Sequence, residues 1–177
     1  MNVENKKILD VTCGGRSIWF NKQHPLAIYC DRRDVEYEQV FGKGKPSTRH
    51  IKVHPDMIAD FRELPFEDNT FHLVVFDPPH IVSEKGNNRW LTKAYGHYKS
   101  KEEAIASVVG GVQECMRVLK PYGVLIFKWA ETSIPTPDII NEIGYTPLFG
   151  HRSGKKLGTN WLCFMKETDE QQMRIKY

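Results

Sequence analysis

Cysteine is sparse and scattered. The four in the chain, Cys13, Cys30, Cys115 and Cys163, include no CxxC pair, which argues against a zinc site or a disulfide framework. No apolar run approaches the roughly 18 residues of a membrane span. The start, MNVENKKILDV, lacks the long apolar core of a signal peptide. The expectation is a cytoplasmic protein with no membrane partner. The GxGxxG fingerprint of nicotinamide enzymes is missing, which disfavours a dehydrogenase. Charge of neither sign dominates: 25 Lys and Arg against 22 Asp and Glu leave +3, which permits an anionic partner without demanding one. Repeats, low-complexity tracts and linkers are also absent. At 177 residues and 40% hydrophobic content, the chain suits one compact domain over 1–177.

What is present is an alternation of short apolar runs and helical patterns, the signature of a parallel α/β sheet. Lys7–Val11 reads as a first strand ending at Cys13-Gly14-Gly15, and Ser17–Lys22 as the start of a helix cut short before His24-Pro25. Leu26–Cys30 is a second strand. The stretch from Phe41 to Ser47 is loop, and Ile51–Val53 is a brief third strand. Phe71–Phe76 is continuously apolar at its centre, as a strand buried on both faces should be. Ser100 and Glu103 form a capping box at the head of a helix that runs to Leu119, weakened by Gly110 and Gly111. Val124–Trp129 is the next strand, and Asp138–Ile143 a short helix. Tyr145–Phe149 and Asn160–Met165 then read as a hairpin that adds an antiparallel strand.

Four clusters carry chemistry. Asp10-Val11-Thr12-Cys13-Gly14-Gly15 joins a strand end to small residues that let a ligand approach the backbone, or is a plain tight turn. Asp31, at the end of the second strand, is placed to accept from both hydroxyls of a ribose, or is a surface acid opening a turn. Asp60-Phe61 offers an acceptor for an adenine amino group and an apolar cover for the ring, or is an ordinary loop. Asp77-Pro78-Pro79-His80 follows the central strand directly. Its prolines stiffen the turn and leave carbonyls without N–H donors, so the Asp77 carboxylate and the Pro78 carbonyl form a pair of acceptors suited to an –NH2 group. The His80 ring can stack on a base drawn from its helix.

In this order the motifs resemble those of class I S-adenosylmethionine-dependent methyltransferases, over nearly the whole chain. Asp77-Pro78-Pro79-His80 is similar to the Asp/Asn/Ser-Pro-Pro-Tyr/Phe/Trp motif of amino-methyltransferases, and its Asp form to adenine-N6 enzymes of bacteria and phages. The resemblance implies a Rossmann-like α/β fold: a mostly parallel seven-stranded sheet with an antiparallel C-terminal hairpin strand, helices on both faces, and no separate target-recognition domain. It implies S-adenosylmethionine as cofactor, S-adenosylhomocysteine as product and no metal. Cofactor contacts are implied at Asp10, Thr12, Cys13, Gly14, Gly15, Asp31, Arg32, Asp60 and Phe61, and catalysis at Asp77, Pro78, Pro79 and His80. Three departures stand out. His80 replaces the usual large aromatic, Thr12 and Arg16 stand where glycine is common, and no helical pattern follows the second strand.

The polar stretch from Lys85 to Lys101 reads as a lid or target-binding loop, or as a solvated loop whose aromatics pack down locally. Trp90 and Tyr95 are candidates to stack on bases, and Arg89 and Lys93 to meet phosphates. Lys128, near the end of the strand facing the same cleft, is a further substrate candidate or a lysine capping the strand end, and Arg152, in the basic run His151–Lys156, is another or part of a solvated turn. The resulting expectation is methyl transfer to adenine N6 in nucleic acid, DNA ahead of RNA. Alternatives are RNA adenine, cytosine N4, a protein glutamine amide, or a non-catalytic nucleic-acid-binding module. Oligomeric state is left open.

Overall fold

The structure, a computed structural model, describes residues 3–41, 47–84, 90–153 and 158–168. Its elements, in chain order, are β1 (Ile8–Asp10), β2 (Ala27–Asp31), β3 (Val35–Phe41), β4 (Ser47–Val53), β5 (Met57–Ile58) and β6 (Phe71–Phe76). There follow α1 (Trp90–Tyr95), α2 (Lys101–Val118), β7 (Leu119–Ala130), α3 (Thr136–Ile143), β8 (Phe149–Ser153) and β9 (Thr159–Met165).

Seven strands form one sheet in the order β5-β2-β1-β6-β7-β9-β8. The pairs β1–β2, β2–β5, β1–β6 and β6–β7 are parallel, while β9 runs antiparallel to both β7 and β8. This is the expected Rossmann-like class I methyltransferase architecture. The order reverses between β1 and β6, so the carboxyl ends of these two strands bound the crevice where open α/β sheets bind ligands.

Leu9, Val74, Phe76, Leu125 and Phe127 face one side of the sheet and are fully buried there by α2 and α3. Ser100 caps α2 by accepting the Glu103 N–H, a donor the first turn leaves open, and the Glu103 carboxylate reaches back to accept the Lys99 N–H just before the cap. Gly111 has a packing reason: a Cβ there would lie 2.6 Å from Phe76 and 2.7 Å from Phe61. On the opposite face, Ile8, Ala27 and Tyr29 are covered by Trp19 and Cys13 from the β1–β2 connection, a loop where the expectation of helices on both faces puts a helix.

The segment Ser17–Lys22 forms turns and no helix. Arg16 adopts φ 54°, and its guanidinium donates to the Lys22 and His54 carbonyls and to Asp56, which folds the connection back on itself. Ile51–Val53 belongs to β4, which pairs antiparallel with β3 in a separate hairpin; the strand beside β2 in the sheet is the two-residue β5. This hairpin occupies the place of the helix whose pattern the sequence lacked. The strand expected at Tyr145–Phe149 begins only at Phe149, because Gly144 ends α3 in the left-handed region and a connection intervenes. Among the described residues no helix is long and apolar enough to cross a membrane.

Candidate active site

The crevice at the β1–β6 switch holds a cavity of about 210 Å³. Its floor is the loop after β1. Asp10 is buried; its Oδ1 accepts the Thr12 N–H at 3.1 Å and its Oδ2 accepts from Trp19 Nε1 at 2.7 Å. Burial raises the Asp10 carboxyl from 3.8 to about 7, against the pull of those two donors and with the help of the negative charges of Asp77 and Asp31. The Thr12 hydroxyl accepts the Asp77 N–H at 2.8 Å and so ties the β1 loop to the turn after β6. A glycine at position 12 has no such hydroxyl, which gives this departure from the family pattern a structural role. Cys13 N–H donates to the Cys30 carbonyl and Gly14 N–H to Asp31 Oδ2, drawing the loop across the end of β2. Gly14 has φ 48° and open space where a Cβ would stand, so its backbone faces the cavity bare.

The Asp31 carboxylate is buried and well supplied with donors. Besides Gly14 N–H it accepts Arg33 N–H and Nε at 3.0 Å and Arg33 Nη2 at 3.2 Å, while Arg33 Nη1 reaches the Ala94 carbonyl of α1 at 2.7 Å. Arg33 was not among the residues singled out from sequence. Its one signal was position: an arginine two residues after a strand-ending acid, close enough to curl back onto it. The β3–β4 hairpin was also missed as a wall of the site. His50, Ile51, Lys52 and Val53 line the cavity, and the hairpin base is held by His54, whose ring nitrogens lie 2.6 Å from Asp34 and 2.8 Å from Glu36. These two acids raise the His54 pKa, Glu36 foremost.

Asp60 and Phe61 part company. Phe61 lines the cavity and packs on Phe76 with ring centroids 5.0 Å apart. Asp60 turns to Arg62, 2.6 Å away, which holds its carboxyl below the ordinary range, and it does not line the cavity.

The opposite rim is the turn after β6. Asp77 and Pro79 line the cavity; Pro78 and His80 do not. Asp77 Oδ2 accepts from Lys128 Nζ at 2.6 Å. Burial pushes the His80 pKa down, against Asp77, whose charge pulls it up. Gly96, at φ 87°, carries the chain past Pro79, where a Cβ would sit 3.4 Å from the ring. Of the remaining expected residues, Gly15, Arg32 and Tyr95 line the cavity, and Tyr95 is 40% exposed at its mouth. Lys128 stands outside the lining but contacts Asp77. Arg89 lies outside the described residues, as do the side chains of Trp90, Lys93 and Arg152. Among the described residues no group of three or more His, Cys, Asp or Glu is placed to hold a metal ion.

Fold, strand order and a crevice at the switch point define a class: the class I methyltransferase fold. Solved structures agree with it. The chain is similar to an S-adenosylmethionine-dependent methyltransferase of Methanosarcina mazei (11% identity, TM-score 0.53, covering 94% of this chain and 94% of that one). It is similar to the N-methyltransferase NodS of Bradyrhizobium japonicum (10% identity, TM-score 0.54, 92% and 86%). It is also similar to the [4+2]-cyclase SpnF (11% identity, TM-score 0.54, 93% and 75%), a neighbour whose named reaction shows that the fold alone does not choose the chemistry. No family model and no curated protein matches the chain.

Proposed function

We propose that this chain is an S-adenosylmethionine-dependent methyltransferase that acts on an exocyclic amino nitrogen, adenine N6 in DNA foremost. The observation that carries the reading is the placement of Asp77. Its carboxylate borders the same cavity as Asp10, Asp31 and the bare Gly14 backbone, and one Thr12 hydrogen bond locks the two rims together.

The residues present fit the cofactor. Two carboxylates, Asp10 and Asp31, border a cavity whose other walls include Phe61 and Ile51, which suits a ligand with cationic centres and a flat ring. Asp31 would hold the ribose, with Arg33 yielding part of its fork, and Phe61 would cover the adenine. Asp10 favours a cation most when ionised. Bound, the cofactor supplies an electrophilic methyl group. The chain's own task is then to hold the amine in line and to accept the charge that grows on its nitrogen. Asp77 is the acceptor for that charge. Pro79 stiffens its turn, and burial lowers the pKa of the neighbouring His80, which favours its uncharged ring.

Nucleic acid as substrate is supported by the exposed Tyr95 at the cavity mouth and by the weak positive charge of the chain. The test is methylation of mixed DNA and RNA with isotope-labelled cofactor, followed by nucleoside mass spectrometry. Labelled N6-methyladenine from DNA is the expected product. Label in RNA adenine, in cytosine N4 or in a protein glutamine amide would redirect the acceptor. Tight cofactor binding with no labelled product from any of these would leave a nucleic-acid-binding module as the better reading.

A further inference from the structure

In the structure one oxygen of the proposed amine acceptor, Asp77 Oδ2, already carries a cation. Lys128 Nζ stands 2.6 Å from Asp77 Oδ2, and the two side chains are only 24% and 18% exposed. The pairing follows from strand register. Phe76 of β6 lies opposite Phe127 of β7, so the next residue along each strand, Asp77 and Lys128, is brought alongside the other. We infer that Lys128 is a resident occupant of the amine site, drawn off Asp77 by an anionic group that the substrate carries next to its target amine. This rests on the methyl-transfer reading proposed above and narrows its substrate to phosphate-bearing acceptors.

The reasoning is electrostatic and geometric. An ammonium held on Oδ2 and a target –NH2 compete for the charge of one carboxylate. An ammonium that stayed in place would also oppose the positive charge growing on the attacking nitrogen, across a few ångströms of partly dry protein. For methyl transfer to proceed, Lys128 must leave, and a half-buried charge leaves readily only toward another anion. Its four-carbon stem allows such a swing.

Its surroundings show where the anion would come from. Lys128 is not part of the cavity lining, so it reaches Asp77 from outside the cofactor pocket. On that side its register partner is Trp161 of β9, whose ring centroid lies 5.6 Å from Nζ. An acceptor entering over this strand meets a flat indole, the Lys128 ammonium and the Asp77 carboxylate together. A base with its phosphodiester offers a partner to each: a face for Trp161, an anion for Lys128 and an amine for Asp77. An uncharged nucleoside offers nothing to Lys128, and the lysine keeps its hold on Asp77.

The test uses the full chain with saturating cofactor and two acceptors, an adenine-containing oligonucleotide and adenosine. Wild type is compared with Lys128→Met, Lys128→Gln and Lys128→Arg. In the two neutral variants kcat/KM should move in opposite directions, down roughly tenfold for the oligonucleotide and up roughly tenfold for adenosine, the size of a typical coupling between a charge and its partner. Lys128→Arg should retain the wild-type preference. Cofactor titration checks that each variant is folded, and Lys128→Gln carries the comparison if Lys128→Met is not. An equal change on both acceptors, or none, would overturn the latch while leaving methyl transfer intact. A wild-type chain that binds cofactor and methylates neither acceptor would instead overturn the methyl-transfer reading, and the latch with it.

Discussion

Replacing Gly111 by alanine tests how tightly α2 is seated behind the site. The new methyl would lie 2.6 Å from Phe76 Cζ and 2.7 Å from Phe61 Cδ2, both closer than real contacts allow. Neither ring yields easily, because Phe76 is fully buried and Phe61 nearly so. Overpacking of this kind costs about 1–3 kcal/mol, and two clashing rings argue for the upper half of that range. Alanine in a helix interior returns about 1 kcal/mol relative to glycine. The net loss is about 1–2 kcal/mol, which for a chain of this size lowers Tm by about 2–8 °C. Gly110 is the internal control. A Cβ there meets nothing nearer than Arg62 Cγ at 4.0 Å, so Gly110→Ala should gain about 0.5–1 kcal/mol from propensity alone. Thermal melts of both variants should therefore move in opposite directions, and Gly111→Ala should also weaken cofactor binding, because Phe61 walls the cavity. A Gly111→Ala protein as stable as wild type would refute the packing on which this rests.

Asp10 links pH to stability. Its carboxyl holds a proton in the folded state that the unfolded chain releases between 3.8 and about 7, so the folded state binds more protons and stability falls as pH rises through that window. Asp10→Asn should remove that component, visible as a smaller loss of Tm between pH 4 and 7, and wild-type affinity for the cationic cofactor should rise as pH passes about 7. Thr12→Val should lower kcat by roughly tenfold, because the Asp77 N–H loses its acceptor at a cost of about 1–2 kcal/mol, while Thr12→Ser restores it. Arg117→Met should destabilise the chain by about 2–3 kcal/mol in denaturant titration, since Arg117 satisfies the Leu64 and Phe66 carbonyls while pairing with Glu114 and Asp68.

Legibility in the sequence tracked burial and locality. β6 could be read because its last three residues, Val74 to Phe76, are buried and must be apolar, and α2 because Ser100 and Glu103 announce its start. That Cys13 to Gly15, Asp31 and Asp77 lie at the crevice could be read because each sits at or just past a strand end. The β3–β4 hairpin could not. Its strands carry Glu36, Glu38, His50 and Lys52 on exposed faces, so they present no continuous apolar run. The turn after Arg16 was hidden because its shape depends on Asp56 and the His54 carbonyl, 38 to 40 residues away. Asp60 lies outside the cavity lining, and its pairing with Arg62, two residues on, is a side-chain contact that the local sequence does not announce. The Lys128–Asp77 pair joins residues 51 apart, and only the β6–β7 register brings it into view.

The most direct test of the central claim compares Asp77→Ala with wild type in two readouts, cofactor affinity and transfer of labelled methyl to adenine-containing DNA. The expected result is cofactor binding within a few-fold of wild type and a loss of transfer of roughly a hundredfold or more, the usual cost of removing a group that meets developing charge. An Asp77→Ala protein that methylates at the wild-type rate would contradict it.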